Sequence, residues 1–310
     1  MIVDVHAHWL PKEHYVNMQK YVDYNERVEP MEFGPGTIGK RVVRGGIRIL
    51  GVTERTCDME AQIKDMKDAG IDKLVIHTDT WQTWISMDTC RFVNDELARE
   101  VERYPDRLIG LAHVPPIEEA VGELDRAIKD LGFKGVGLTT HYRGSYIDEE
   151  LSKPFLKKVA ELDVPIIIHP NATPVEYQTL TKTPMPLMRV IDGGIGTARV
   201  LFNVLKDFPT LKFVMPQCGG AFMMMARGGV PVERERLARL FIDTAPGNRS
   251  PAMVKACIDA YGSEQVMFGT DYPFNYNSLK VGVTTIKNLD IDENVKKRIL
   301  GENAATLLKI

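Results

Sequence analysis

The chain has 310 residues, 44% hydrophobic and 26% charged, an ordinary globular composition. A formal net charge of −3 gives no bulk electrostatic reason to bind nucleic acid, and the interleaved Glu233-Arg234-Glu235-Arg236 reads as a solvated helix face. No apolar run approaches the ~20 residues that span a bilayer, and Met1–His6 lacks the basic and apolar regions of a secretion signal, so no membrane partner and a cytoplasmic location are expected.

The first predicted strand, Ile2–His6, runs into His6-Ala7-His8. Strand side chains alternate with period two, so both imidazoles are expected on one side, with Asp4 one pleat deeper in the same register. Two neutral imidazole nitrogens converging from one strand end suit a divalent metal. Asp4 is open to three roles: orienting a ligand histidine, binding the metal, or accepting hydrogen bonds as a buried structural group. Residues 9–56 then form a long stretch containing Gly and Pro. Connections this long are usually lids or substrate loops, with a surface excursion or small hairpin as the alternative.

Helical character and apolar, β-branched runs then alternate. Helices are predicted at Asp58–Ala69, Cys90–Glu102, Ala120–Leu131 and Glu149–Leu162, between strands at Leu74–His77, Leu108–His113, Gly135–Leu138 and Val164–His169. Strands Lys212–Met215 and Leu240–Asp243, helix Pro251–Tyr261, strand Val266–Asp271 and a helical segment Asp292–Leu308 complete the chain. Such alternation, with nearly continuous apolar strands, implies a parallel sheet covered by helices. Eight strands suit a closed α/β structure, a (β/α)8 TIM-like barrel, and such barrels often exceed ~250 residues as one domain. The expectation is therefore one domain over 1–310, with 9–56 inserted after the first strand and lying over the active site.

The strand ends carry chemistry: His6 and His8, His77, His113, Thr140 and His141, His169, Gln217, Asp243 and Asp271. In a barrel the strand C-termini meet on one rim, where catalytic groups sit. Asp271 ends an apolar run with no Arg or Lys beside it in sequence, and an unpaired buried carboxylate is costly, so it needs a cation. His6, His8, His169 and Asp271 together make three imidazoles and one carboxylate, a set with room for water or substrate. The four cysteines (Cys57, Cys90, Cys218, Cys257) are far apart without a CxxC pair and are expected to be reduced thiols.

The motifs Asp4-Val5-His6-Ala7-His8, Pro165-Ile166-Ile167-Ile168-His169-Pro170, Gly219-Gly220-Ala221-Phe222, Phe268-Gly269-Thr270-Asp271-Tyr272-Pro273-Phe274 and Gly301-Glu302-Asn303-Ala304-Ala305 follow one another in this order. In this the chain resembles the amidohydrolase superfamily, in the branch of aminocarboxymuconate-semialdehyde decarboxylase and the hydroxybenzoate decarboxylases. The resemblance runs essentially end to end. It implies a distorted (β/α) barrel, a homodimer, and one divalent metal, most often zinc with manganese possible, on His6, His8, His169 and Asp271. Two-metal members carry a carboxylated lysine at the end of the fourth strand; here that strand ends Gly137-Leu138-Thr139-Thr140, which implies one metal.

One departure stands out. Where the family has a proton-transferring histidine at the end of the sixth strand, this chain has Gln217 in Pro216-Gln217-Cys218-Gly219-Gly220. An amide hydrogen-bonds but takes no proton near neutral pH. Asp271 is then the remaining proton carrier, with Cys218 expected to point away. The resemblance implies a small-molecule carboxylate substrate bound by arginines of the first long loop and of the helix after the sixth strand. Arg48 and Arg227 lie nearest those positions, with Arg44 a rival and a plain surface charge the alternative for each. Trp81, Trp84 and Phe274 are candidates to wall the pocket or to pack the core, His141 is a candidate pocket contact, and His77 and His113 are read as structural. The implied activity is metal-dependent, non-oxidative decarboxylation of a small aromatic or unsaturated acid. A hydrolase or hydratase using metal-activated water and a metal-binding protein without turnover are the alternatives.

Overall fold

A computed structural model describes the chain except residues 23–25, 79–85, 172–184, 228, 230, 231, 246 and 275–277. Eight parallel strands follow one another round a sheet in sequence order: β1 (Val3–His8), β2 (Lys73–His77), β3 (Leu108–His113), β4 (Gly135–Thr139), β5 (Ile166–His169), β6 (Phe213–Met215), β7 (Leu240–Asp243) and β8 (Val266–Met267). The segment after β8 returns to β1. The Val5 amide donates to Phe268 O at 3.0 Å, Asp271 N to His6 O at 2.9 Å, and His8 N to Tyr272 O at 2.7 Å. The expected α/β barrel is therefore present.

Its strands read as continuous apolar runs because both faces are buried. Leu74, Ile76, Val136, Leu138, Ile166, Ile168, Phe213 and Ile242 face outward under the helices. Val3, Val5, Val75, Ile109, Leu111, Ile167, Val214 and Met267 fill the lumen, and Leu307 and Leu308 of the last helix close its base. Each such side chain, fully buried, stabilises by about 1.5–3 kcal/mol. The helices that matter below are α1 (Met59–Asp68), α2 (Met87–Arg103), α3 (Met185–Arg199), α4 (Phe222–Arg227) and α5 (Pro251–Tyr261). Asp58 and Ser86 cap α1 and α2 by accepting from Ala61 N and Thr89 N, and Ser250 caps α5 ahead of Pro251 at its first position. The predicted C-terminal helix is divided by a π turn at Arg298–Glu302, where a methyl on Gly301 would collide with the Met1 carbonyl.

Two features depart from the simple strand pattern. Asp4 pairs with Leu74 but Ala7 with Ile76, so β1 carries one extra residue, a β-bulge. The bulge lets Val3 and Val5 face the lumen below while His6 and His8 face it above. Asp4 is consequently turned outward with Leu74, not stacked beneath His6. It accepts from Thr270 Oγ1 at 2.5 Å, Thr270 N at 3.1 Å and His6 N at 3.0 Å, tying β1 to the segment after β8. Of Asp4's three candidate roles, this is the buried acceptor.

The stretch after β1 is largely ordered rather than a loop. Glu26–Glu32, Ile38–Arg44 and Ile47–Val52 form an antiparallel three-stranded sheet, with Gly45 and Gly46 at φ +55° and +81° making the two-residue turn between the last two. Val42, Ile49, Leu50 and Val52 pack on Leu10, Tyr15, Met18 and Cys90. Among the described residues, no helix is long and apolar enough to cross a membrane.

Candidate active site

The upper ends of β1, β5 and the segment after β8 place His6, His8, His169 and Asp271 around one point. One ligand-type atom from each lies within 4.8 Å of the others. His6 Nε2 and His8 Nε2 are 3.0 Å apart, and Asp271 Oδ1 is 3.1 Å from His8 Nε2 and 3.5 Å from His6 Nε2. All four residues are at most 7% exposed.

Asp243, at the end of β7, sets the chemistry of His6. Its Oδ2 accepts from His6 Nδ1 at 2.6 Å, so Nδ1 carries a proton and Nε2 is the ring atom turned towards the other donors. The other carboxylate oxygen accepts from Gln217 N and Ala245 N, both at 2.9 Å, which locks the carboxylate in place. Gly269 permits the approach: a methyl there would stand 2.9 Å from Asp243 Cβ and 3.0 Å from His6 Cβ.

Burial lowers the His6 pKa, but the charge and hydrogen bond of Asp243, with Asp271 and Asp4 behind them, outweigh it and hold the group at about 9. Burial pushes His8 down to about 4 despite its bond to Asp271. His169 falls well below its ordinary value through burial and the charges of His8 and Arg189. Burial alone would raise Asp271, yet the His8 hydrogen bond and the charges of His6, His8 and Arg189 leave it below the usual carboxylate value. The site is thus a buried carboxylate amid two imidazoles held neutral by burial, His8 and His169, and a third, His6, made strongly basic by Asp243. Neither ring nitrogen of His169 has a hydrogen-bond partner among the described residues, although the residue is 1% exposed. Such orphaned buried acceptors are costly unless something binds them, and a divalent cation fits all four donors at once. Asp271 itself has a left-handed backbone at φ +62°, as do Gln217 at +55° and Cys218 at +59°, strain of the kind held at functional sites.

Above this cluster opens a cavity of about 1130 Å³, whose wall includes Arg48, Gln217, Asp271 and Phe274. The Phe274 ring lies 4.8 Å from that of His8. Other candidates go elsewhere. His141 is not among the lining residues; it sits in a short hairpin against Tyr146 and accepts from Gly144 N at 3.3 Å. Arg44 is committed to Glu26. Arg227 ends α4 with its side chain outside the described part, and Trp81 and Trp84 lie outside the described residues. The Cys218 thiol is hydrogen-bonded to the free thiol of Cys257 and is buried, both of which raise its pKa and make it a poor base.

The chain matches the amidohydrolase family over residues 3–310. It belongs to that family.

Among curated relatives, the 2-amino-3-carboxymuconate-6-semialdehyde decarboxylase of Dictyostelium discoideum is 23% identical over 99% of this chain and 91% of its own length. The 2-keto-4-carboxy-3-hexenedioate hydratase of a Sphingobium species is 27% identical over 71% of this chain and 66% of its own. In solved structures, the dihydroxybenzoic acid decarboxylase of Polaromonas sp. JS666, crystallised with manganese and the inhibitor 2-nitroresorcinol, superposes with a TM-score of 0.78. It shares 20% identity, covering 99% of this chain and 96% of that one, which establishes the shared fold.

Within this amidohydrolase, four residues of the site went unassigned in the sequence. Asp243 was visible only as a polar strand end, because its tie to His6 spans 237 positions. His77 was read as structural, yet its ring lies 5.9 Å from those of both His6 and His8. Arg189 on α3 and Arg249 in the turn after β7 both line the cavity, and neither belongs to a motif. A strand-end position was the one available signal for His77 and Asp243.

Proposed function

We propose that this amidohydrolase is a metal-dependent, non-oxidative decarboxylase of a small aromatic or unsaturated carboxylic acid. His6, His8, His169 and Asp271 would hold one divalent ion. Their three imidazoles and one carboxylate suit zinc, while manganese is the ion in the solved Polaromonas relative. When bound, the ion supplies Lewis-acid stabilisation of negative charge developing on the substrate.

The chain's own residues account for the rest. Asp243 keeps the His6 proton on Nδ1 and its Nε2 free to ligate. Arg48 on the cavity wall takes the substrate carboxylate, and Phe274 packs against its unsaturated body. Gln217 donates an amide hydrogen bond to a substrate oxygen. The bond to the carboxylate carbon breaks, carbon dioxide leaves, and its electron pair stays on the substrate carbon, which must take a proton. Asp271 delivers it. Its depressed pKa keeps it ionised before reaction, able to take a substrate hydroxyl proton, and makes its protonated form a ready donor to carbon.

The observation that carries this reading is Gln217. The amide stands on the cavity wall beside the Asp243-anchored turn, where activation of water for hydrolysis or hydration would need a titratable base. Decarboxylation needs no activated water, and Asp271 can carry the proton that the family's histidine would otherwise transfer. The hydratase relative keeps hydration as the second reading. Metal-loaded enzyme is to be incubated with hydroxybenzoic and unsaturated acids in deuterated or oxygen-18 water. Carbon dioxide release with one deuterium at the product carbon is expected; oxygen-18 in the product without carbon dioxide would overturn the proposal.

A further inference from the structure

A second group of metal-type donors, all sulfur, lies outside the His/Asp cluster, where the turn after β6 meets α4 and α5. Cys218 and Cys257 are free thiols that hydrogen-bond each other, and the Cys257 thiol donates onward to Met223 Sδ at 3.8 Å. Cys218 and Met223 stand on the cavity wall, and Cys257 closes the group from behind at 0% exposure. The other two cysteines, Cys57 and Cys90, lie elsewhere, under the inserted sheet.

Small buried thiols often serve only as apolar filler, but the surroundings of Cys218 go beyond filling. Its backbone holds φ +59°, a left-handed conformation that costs free energy for a residue with a Cβ and that Gly219 and Gly220 beside it adopt freely. Gly247 keeps space beside the sulfur: a methyl there would stand 3.0 Å from Cys218 Sγ. The Gly247 amide instead donates to that sulfur, which favours the thiolate. The Tyr261 hydroxyl fastens the turn to α5 by donating to Cys218 O at 3.4 Å. Two sulfurs each ~2.3 Å from one ion stand roughly 3.8–4.0 Å apart in tetrahedral or trigonal coordination. The 3.8 Å between Cys257 and Met223 meets that spacing.

We propose that Cys218, Cys257 and Met223 form a binding site for one soft monovalent cation, copper(I), entered from the cavity. Thiolate and thioether sulfurs favour such an ion, whereas the carboxylate and imidazoles of the His/Asp cluster favour manganese or zinc. Without a cation, burial and the neighbouring thiol hold the Cys218 proton in place. On binding, Cys218 and Cys257 each release a proton to solvent, Met223 stays neutral and copper keeps its oxidation state, so uptake strengthens as pH rises.

The test is anaerobic titration of zinc-loaded enzyme with copper(I) against bicinchoninate as competing chelator. Elemental analysis follows the zinc, and X-ray absorption reads the neighbours of copper. One copper per chain is expected, with zinc retained and sulfur neighbours at ~2.3 Å. Cys218→Ser and Cys257→Ser should each weaken copper binding by more than ~100-fold, since loss of an outer partner alone costs ~10–100-fold. Cys57→Ser should leave it unchanged. Met223→Leu keeps the packed volume, so it tests the site even if a thiol variant fails to fold; a loss of about tenfold or more is expected. Copper that displaces zinc one for one, nitrogen in place of sulfur neighbours, or a folded Cys257→Ser protein that holds copper as tightly as the parent overturns the proposal.

Discussion

Asp243→Asn separates the charge of this residue from its shape. In the native site one oxygen accepts from Gln217 N and Ala245 N at 2.9 Å, and the other accepts from His6 Nδ1 at 2.6 Å. The two backbone donors dictate how the substituted amide must sit: its oxygen stays with them, and its NH2 points at His6. That NH2 cannot accept the Nδ1 proton. The imidazole must move its proton to Nε2, the atom turned towards His8 and Asp271, or lose the contact. The first outcome takes the Nε2 lone pair away from the metal, and the second leaves the ring without the partner that orients it. Removing such an outer partner of a ligand histidine typically costs 10–100-fold in metal affinity, or about 1.4–2.8 kcal/mol. The backbone contacts survive, so the fold should persist. Competition against a fluorescent chelator measures the affinity, with circular dichroism as the control for folding. A folded Asp243→Asn protein that holds metal as tightly as the parent would refute the argument that Asp243 sets the His6 tautomer.

Three further outcomes are expected. Gly269→Ala inserts a methyl 2.9 Å from Asp243 Cβ and 3.0 Å from His6 Cβ, so it should force β1 and β7 apart, cost about 1–3 kcal/mol in urea unfolding and weaken metal binding alongside. Gln217→His adds a group titrating near ~6.5, so kcat should acquire a pH limb in the variant that the parent lacks over the same range, and any latent hydrolysis should rise; superimposable profiles would contradict the placement of residue 217 at the reacting centre. His14, buried against Tyr21 with ring centroids 3.9 Å apart, is pushed by burial down to about 4. Its neutral form stabilises the fold fully above the unfolded pKa of 6.5, and this contribution is lost as pH falls towards 4. At pH 5 the loss is about 2 kcal/mol, so His14→Phe should narrow the gap in thermal midpoint between pH 8 and pH 5.

The fold was legible because each barrel strand is buried on both faces and therefore written in uninterrupted apolar residues. Leu108–His113, Leu240–Asp243 and Pro251–Tyr261 coincide with their predicted bounds. What escaped was anything that periodicity cannot carry. A bulge adds one residue without altering composition, so Asp4 and His6 read as stacked when they face opposite ways. The inserted sheet follows turn chemistry at Gly45-Gly46 in a stretch read as a lid or substrate loop, with a small hairpin only as the alternative. Metal-type donors advertise themselves at strand ends. Asp243 does so only weakly, since its meaning lies in a contact across the barrel. Arg48 was singled out in the sequence, but the cavity arginines Arg189 and Arg249 come from segments outside the strand pattern, and long-range electrostatics leaves no local mark in a sequence.

The central claim is that His6, His8, His169 and Asp271 hold one divalent ion. An anomalous difference map from crystals of the purified protein, collected on either side of the manganese and zinc absorption edges, tests it most directly. The account predicts a single peak enclosed by those four side chains. A map without that peak, from protein that elemental analysis shows to carry its metal elsewhere, would contradict it.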